Sequence, residues 1–227
     1  MRAWLDKLNE TFIATNGYQQ LLEGLKNTFI ITLGALCIGV VIGTVIAVIK
    51  YFSDDVKALR PLAWVCDLYI TVIRGVPVVV LLMIFYYIIL VSANGVAVAI
   101  MTFGINSGAY MAELIRSGIN AVDKGQMEAA RSLGMSRLLS TRTIILPQAL
   151  RYILPAIGNE LIALLKETAV AGYVAVVDLT RAGNLIRNNT YDAVNPLMIV
   201  ALSYLAMVIF LTYVLKGFER RLNKDKH

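Results

Sequence analysis

The chain has 227 residues, of which 58% are hydrophobic and only 16% charged, and its mean hydropathy is +0.70. Its uncharged runs at 28–49, 75–112 and 193–215 reach or exceed the roughly 20 residues that cross a bilayer. This composition excludes an ordinary water-soluble domain. It predicts an all-α, polytopic membrane helical bundle, with residues 1–227 forming one transmembrane domain.

Few residues in the sequence are suited to catalysis. The single histidine is His227, the pattern G-x-x-x-x-G-K-[ST] is absent, and no buried serine or cysteine is expected to have a base that would activate it. We therefore expect no catalytic residue, no metal site and no cofactor in this chain. Any energy for work would have to come from another protein.

Five transmembrane helices are predicted, and the long run at 75–112 is divided by a break at 92–95. The fourth helix is the weakest, because Arg151 and Glu160 lie within it. The first is longer than the apolar part of a cleavable signal, so we expect it to remain in the protein. In chain order the helices are expected at about 22–50, 57–91, 96–121, 143–167 and 193–216.

The distribution of Lys and Arg predicts the orientation of these helices. Segments 50–63, 116–152 and 215–227 hold 3, 6 and 5 of the 21 basic residues. Because basic segments stay in the cytoplasm, we expect the N-terminus outside and the C-terminus inside. The net charge of +6 then reflects topology and contact with anionic lipid, and it does not indicate nucleic acid.

The first two predicted helices carry features that affect packing. Gly39 and Gly43 have the G-x-x-x-G spacing that lets another helix approach, and we favour packing within the chain over a dimer contact. In the second helix Arg74 lies beside Gly75 and Pro77, which loosen the helical hydrogen-bond ladder. An arginine at this depth needs a partner or a water-filled cavity. Asp67, seven residues earlier, is its candidate partner, and an ion pair and a role in solute passage stay equally open.

Two polar stripes follow on the third and fourth helices. Polar residues avoid lipid, so both stripes should face the bundle interior or a cavity. Residue by residue, contacts that hold helices together are slightly favoured, whereas the set as a whole favours a route for a zwitterionic solute. With Arg74, the candidate route comprises Asn106, Tyr110, Glu113, Asn159, Glu160, Lys166 and Glu167.

Between these two helices lies a polar stretch, EAARSLGMSRLLSTRTIILP at 128–147, with two possible interpretations. The pattern A-A-x-x-L-G-x-S is compatible with a DNA-binding helix-turn-helix, but spans about eight residues away on each side leave no room for a recognition helix. The second interpretation is a short cytoplasmic helix at about 126–136 on which another protein docks. Here Asp123 would cap the helix, Glu128 would lie in its first turn, and Gly134 would end it.

The residues of this stretch resemble the EAA loop of ATP-binding-cassette (ABC) importer permeases. The fixed positions of the loop are present with the same spacing, Glu128-Ala-Ala-x-x-x-Gly134-x9-Ile144-x-Leu146-Pro147. Further matches are similar to the polar amino acid group of these permeases, which transports histidine, arginine, glutamine or cystine. They are R-G-x-P at 74–77, N-S-x-A-Y-x-A-E-x-x-R at 106–116, G-x-x-x-A-V-D-x-G-Q at 118–126, L-P-x-x-G-N-E at 154–160, L-x-K-E-T at 164–168 and F-E-R-R-L at 218–222.

The resemblance implies the fold, the partners and the role of this loop. The fold would be the type I ABC importer permease fold, in the bacterial cytoplasmic membrane. The partners would be an ABC ATPase dimer that binds ATP and Mg, a second permease subunit (identical or homologous), an extracytoplasmic amino acid-binding protein and an amino acid substrate. The coupling residues that contact the ATPase would be Glu128, Ala129, Ala130, Leu133, Gly134, Met135, Leu146 and Pro147.

The expected function is therefore that of a non-enzymatic permease subunit for polar amino acids. ATP hydrolysis in the ATPase would drive alternating access through the loop. The alternative is a carrier or channel for small polar solutes that works without ATP, since the charges within the helices alone would allow it. Family members often carry Glu at the position of Thr71 and Ser at the position of Ala169, and these departures affect the substrate assignment.

Overall fold

The computed structural model describes residues 10–14, 16–53 and 55–224, and within these ranges every regular element is helical. Shorter π-helical or 3-10 segments lie at Glu10–Ala14, Lys57–Leu59, Phe85–Ile89, Thr141–Ile145 and Thr168–Val174. In chain order the α-helices are α1 Gly17–Ser53, α2 Arg60–Gly75, α3 Val78–Ile84, α4 Gly95–Asn120, α5 Lys124–Ser132, α6 Arg137–Ser140, α7 Leu146–Glu167, α8 Leu179–Thr190 and α9 Asn195–Lys224.

Three described helices are long and apolar enough to cross a membrane, namely α1, α4 and α9. Residues 57–89 count as a fourth span only as a bent pair of helices. The expectation of one unbroken helix at 57–91 is thus wrong, because Pro77 lacks an N–H and takes an extended ψ of 134° as the N-cap of α3. A helix does cover 143–167, but α7 with its charged residues falls below the same criterion, so this count does not reach the predicted five.

The contacts divide the chain into two compact units. The first comprises the described residues up to Cys37 together with Val76–Gly104 and Ile162–Thr212. The second comprises Ile38–Gly75, Ile105–Leu161 and the described residues from Tyr213 onward. That the whole chain acts as one transmembrane domain stays a prediction.

The first unit has an apolar core around Phe103, which is fully buried. Its connecting segment at 168–192 contains the 3-10 turn Thr168–Val174 and then α8, which Asp178 caps. The buried Asp178 carboxylate accepts hydrogen bonds from the backbone N–H groups of Thr180 and Arg181, at 2.9 and 3.1 Å. Burial raises the pKa of this carboxyl above its ordinary value, although these two hydrogen bonds act in the opposite direction. The other core residues are Ile31, Ala35, Leu82, Ala99, Leu164, Ala171, Val174 and Val176.

In the second unit, α1 and α4 lie against each other where the glycines predicted a close approach. A Cβ atom placed on Gly43 would lie 2.3 Å from the Cβ of Met111, and one on Gly39 would lie 2.9 Å from Ser107 Oγ. Only glycine fits this contact, so the prediction of packing within the chain is confirmed. Two apolar clusters complete the unit, one around Ala109 and Ala112 and one that joins α1, α4 and α7.

Candidate functional site

The predicted coupling segment forms α5, and its N-terminus is set by Asp123. The Asp123 carboxylate accepts a hydrogen bond from the N–H of Gly125 at 2.6 Å, so the predicted cap is confirmed. Because the cap lies here, the helix begins at Lys124, two residues earlier than expected. Glu128 is therefore in the second turn, and the expectation that it lies in the first turn, at the positive end of the dipole, is wrong.

Gly134 ends this helix, as the sequence predicted. Its φ is +81°, in the left-handed region that glycine adopts without a steric penalty. The Gly134 N–H donates to the carbonyl of Arg131 at 3.0 Å, and the Met135 N–H donates to that of Ala130 at 3.2 Å. This pair of bonds is the Schellman motif, which satisfies the last carbonyls of the helix and fixes the direction of the chain after it.

The segment at 126–136 lies on the surface of the second unit. Glu128, Ala129 and Gly134 are exposed. Leu133 is 83% exposed, and a group of exposed large apolar side chains is typical of a surface that binds another protein. Ala130, one of the predicted coupling residues, is in contrast buried against the unit. Leu138 and Leu139, five and six residues after Leu133, are also exposed.

The helix after the loop starts earlier than predicted, at Arg137, and runs through a π-helical turn into α7. The predicted helix start at 143 would put Pro147 in the first turns, but Pro147 lies ten residues inside continuous helical structure, so that expectation is wrong. Because proline has no N–H and crowds the preceding turn, a widened turn at Thr141–Ile145 relieves the conflict. Leu146 and Pro147 are exposed and Met135 is half-buried.

A network of charges joins three helices in the second unit. Lys50 of α1 lies 2.5 Å from Asp67 of α2 and 3.6 Å from Glu113 of α4. Glu113 also accepts two hydrogen bonds from Arg116, from Nε at 3.2 Å and from Nη2 at 2.7 Å. The candidate pairing of Asp67 with Arg74 is thus wrong, and Lys50 is a partner that sequence reasoning missed.

Arg74 instead lies against an aromatic ring. Its guanidinium carbon is 4.9 Å from the centroid of the Tyr110 ring, within the range of a cation–π contact. Arg74 forms no ion pair with any residue that the structure describes. Its charge is therefore held near α4 without being neutralised.

The polar residues of α4 and α7 meet at Glu160. The Ser107 hydroxyl donates to Glu160 Oε1 at 2.9 Å, and Asn106 beside it is 4% exposed. Asn159 is exposed and also belongs to the second unit. The remaining two predicted residues of the route, Lys166 (exposed) and Glu167 (half-buried), belong to the first unit.

The described residues contain no arrangement of side chains that resembles a metal centre. Among those residues, no group of three or more His, Cys, Asp or Glu side chains is placed to hold an ion. Cys37 and Cys66 are both free thiols. The second unit does contain an exposed helix with a fixed exit, and a set of mostly half-buried polar and charged groups on α1, α2, α4 and α7.

Comparison with known proteins decides the family. Residues 39–224 match the family of binding-protein-dependent transport system inner membrane components. The chain belongs to this family. It is an inner membrane component of such a system, and the resemblance drawn from the EAA pattern is confirmed.

Relatives and a solved structure agree with this family. The arginine transport system permease protein ArtQ of Bacillus subtilis is 37% identical over 209 residues, which cover 90% of this chain and 93% of that relative. The putative glutamine transport system permease protein GlnP of Rickettsia conorii is 36% identical over 206 residues, covering 89% and 92%. A crystal structure described as an amino acid ABC transporter with histidines matches with a TM-score of 0.83 and 39% identity, over 92% and 98% of the two chains. The expected permease fold is thereby confirmed.

Proposed function

We propose that this permease is the transmembrane subunit of an ATP-driven importer of polar amino acids, and that α5 is its contact with a separate ATPase. The observation that carries this proposal is the exposed helix at Lys124–Ser132, with Leu133 and Gly134 at its end. A helix that is fixed at both ends and joined to membrane helices transmits a push without bending. ATP-driven closure of the ATPase would thus tilt these helices between inward-open and outward-open states.

The proposal includes the partners and the orientation. An ATPase dimer would bind ATP and Mg on the cytoplasmic side, and a second permease subunit, identical or homologous, would complete the membrane part. An extracytoplasmic binding protein would deliver the amino acid. This arrangement needs α5 and the C-terminus on the inside, as the basic segments indicate.

For the substrate we propose contacts with Arg74 and Glu160 before the other charged residues. A zwitterion needs a cation for its carboxylate and an acceptor for its ammonium. Arg74 forms a cation–π contact with Tyr110 but no ion pair among the described residues, and Glu160 accepts one hydrogen bond from Ser107, so both retain capacity for a ligand. Glu113, held by Arg116 and Lys50, is better suited to fastening helices together. The relatives named for arginine and glutamine support a polar amino acid.

The alternative of a carrier or channel without ATP receives less support. The 39% identity to an amino acid ABC transporter over nearly the whole chain favours an ATP-driven system. A carrier or channel without an ATPase also gives no explanation for the exposed helix that carries the EAA pattern.

The test is co-purification with the ATPase and uptake in proteoliposomes that contain the ATPase and the binding protein. We expect Glu128→Lys to reduce co-purified ATPase and uptake at least about tenfold, since a reversed charge at an interface centre costs well over 1 kcal/mol. The matched control is Glu23→Lys, an exposed carboxylate on the part of α1 in the first unit, which should retain the ATPase. Normal ATPase binding by Glu128→Lys would refute the proposed contact. A panel of labelled amino acids then identifies the substrate.

A further inference from the structure

Residue Arg137, at the start of α6, connects the segment after the coupling helix to α1. It forms an ion pair with Asp55 and donates a hydrogen bond to the backbone carbonyl of Tyr51 at 3.2 Å. Its guanidinium carbon also lies 4.8 Å from the centroid of the Tyr51 ring. Three different kinds of contact therefore hold one side chain against the end of α1 and the residues just after it.

The hydrogen bond falls on a carbonyl that needs a donor. Tyr51 lies in the last turn of α1, which ends at Ser53, and carbonyls there have no N–H partner within the helix. A cation is also favoured at this negative end of the helix. The planar guanidinium reaches the carbonyl, the carboxylate and the ring at once, whereas the ammonium of lysine is a single point charge.

Two further hydrogen bonds, one before and one after Arg137 in the chain, hold this segment in place. The Ser136 hydroxyl accepts a hydrogen bond from the N–H of Leu139 at 3.3 Å, which makes Arg137 the first residue of α6. The Tyr51 hydroxyl lies 3.1 Å from Thr141 Oγ1, one turn further on. The start of the helix after the loop is thus attached to α1 by two separate side chains.

The body of α5 does not fill the space next to α1. A hollow of about 480 Å³ lies there in the second unit, lined by Tyr51, Asp55, Met127, Arg131 and Arg137. Direct packing across a hollow is weak, because atoms on its two sides lack partners. At the rim of this hollow the loop and the end of α1 are linked by polar and aromatic contacts, next to the apolar cluster that includes Ala47 and Ile145.

The end of α1 is in turn connected to two more helices. Lys50, directly before Tyr51, is the residue that pairs with Asp67 of α2 and with Glu113 of α4. Adjacent residues of one helix turn thus join the loop, α1, α2 and α4. A displacement of Arg137 would reach all of them within a single turn of helix.

We propose that Arg137 is a positioning residue that couples the motion of α5 to α1. This rests on the proposed function, in which α5 is the contact with the ATPase. When the loop is pushed, Arg137 transmits the displacement to the Tyr51 turn, and Lys50 passes it to α2 and α4. Without Arg137, the loop would move over the hollow while α1 stayed behind, and ATP would be hydrolysed with less transport.

The test measures amino acid imported per ATP hydrolysed, in proteoliposomes that contain the permease, its ATPase and its binding protein. Residues that connect coupled sites alter coupling by about two- to thirtyfold, so we expect Arg137→Ala to lower this ratio about threefold. Arg137→Lys, which keeps the charge near Asp55, should fall between Arg137→Ala and wild type. The matched control is Arg142→Ala, an exposed arginine in the same segment, which should keep the wild-type ratio.

The outcomes separate this proposal from the proposed function. A ratio that falls while the ATPase still co-purifies supports the coupling role, because loss of folded protein would lower import and hydrolysis together. If Arg137→Ala does not fold, the same ratio measured for Arg137→Lys decides whether Arg137 couples the helices. An unchanged ratio overturns the role of Arg137, whereas failure of the proposed function is detected separately by Glu128→Lys with normal ATPase binding.

Discussion

Gly134 shows how one residue determines the exit of the coupling helix. A Cβ atom there would have no neighbour within 4 Å, so space alone does not require glycine. What requires it is the φ of +81° in the Schellman motif. Glycine is thus required at position 134 by its backbone conformation, although the surrounding surface is open.

We predict that Gly134→Ala destabilises the loop by about 1 kcal/mol, because alanine must adopt a left-handed conformation. The local unfolding should appear as faster amide hydrogen exchange at 130–135. Gly217→Ala is the matched control, since a Cβ there also meets open space but the residue lies within α9 with no positive φ. Equal exchange in the two variants would show that the conformation of Gly134 does not hold the loop.

Glu160 and Glu113 should respond differently to the same substitution, glutamate to glutamine. Glu160→Gln can still accept from Ser107, so we expect normal folded yield and a loss of uptake of at least about tenfold if the charge binds substrate. Glu113→Gln weakens contacts with Arg116 and Lys50, and should cost about 1–3 kcal/mol of stability. Folded yield by size-exclusion chromatography and uptake per folded protein separate the two. The reverse pattern would contradict both assignments.

At the scale of elements, the contact of α1 with α4 sets how the second unit packs. We predict that Gly43→Ala costs about 1–3 kcal/mol, because its Cβ would lie 2.3 Å from the Cβ of Met111, which cannot turn away. Gly34→Ala is the control, since a Cβ there lies 3.0 Å from Ile100 Cγ2 in the first unit, a contact that a shift of a few tenths of an ångström relieves. Thermal unfolding in detergent measures both. A midpoint for Gly43→Ala no lower than that of Gly34→Ala would argue against a tight helix contact.

The cap of α8 predicts a pH dependence of stability. Burial raises the pKa of Asp178 in the folded state, so its favourable contribution is complete below the unfolded pKa and is lost as pH rises through the folded pKa. Asp178→Asn removes this titration, so the stability of the variant relative to wild type should increase with pH across that range. Melting temperatures of the two proteins in detergent at several pH values test this. A constant difference would contradict a raised pKa.

Local features could be predicted from the sequence, and long-range ones could not. Asp123 and Gly134 were identified because a cap acts within two or three residues along the chain. The contact of Ser107 with Glu160 joins residues 53 apart, and that of Arg137 with Tyr51 joins residues 86 apart. No periodic pattern specifies such partners. The same reason explains why Asp67 was assigned to Arg74 on its own helix and not to Lys50 on another.

At the scale of the whole molecule, the proposed orientation requires α5 on the cytoplasmic side. It also requires α8 on the outer side, because the predicted helix at 193–216 separates α8 from the cytoplasmic C-terminus. Leu133 is 83% exposed near the end of α5, and Tyr191 is 94% exposed at the end of α8. Both are accessible to a probe, and each belongs to a different unit. They therefore make a matched pair for locating the ATPase.

The most direct measurement is site-specific cross-linking in the assembled transporter, in a permease whose Cys37 and Cys66 are replaced by alanine. A cysteine-reactive photo-cross-linker at position 133 (Leu133→Cys) should capture the ATPase, whereas the same probe at position 191 (Tyr191→Cys) should not. Membrane-impermeant labelling in oriented vesicles should reach position 133 only from the cytoplasmic side. Capture of the ATPase from position 191, or labelling of position 133 only from outside, would contradict the role of α5 as the coupling helix.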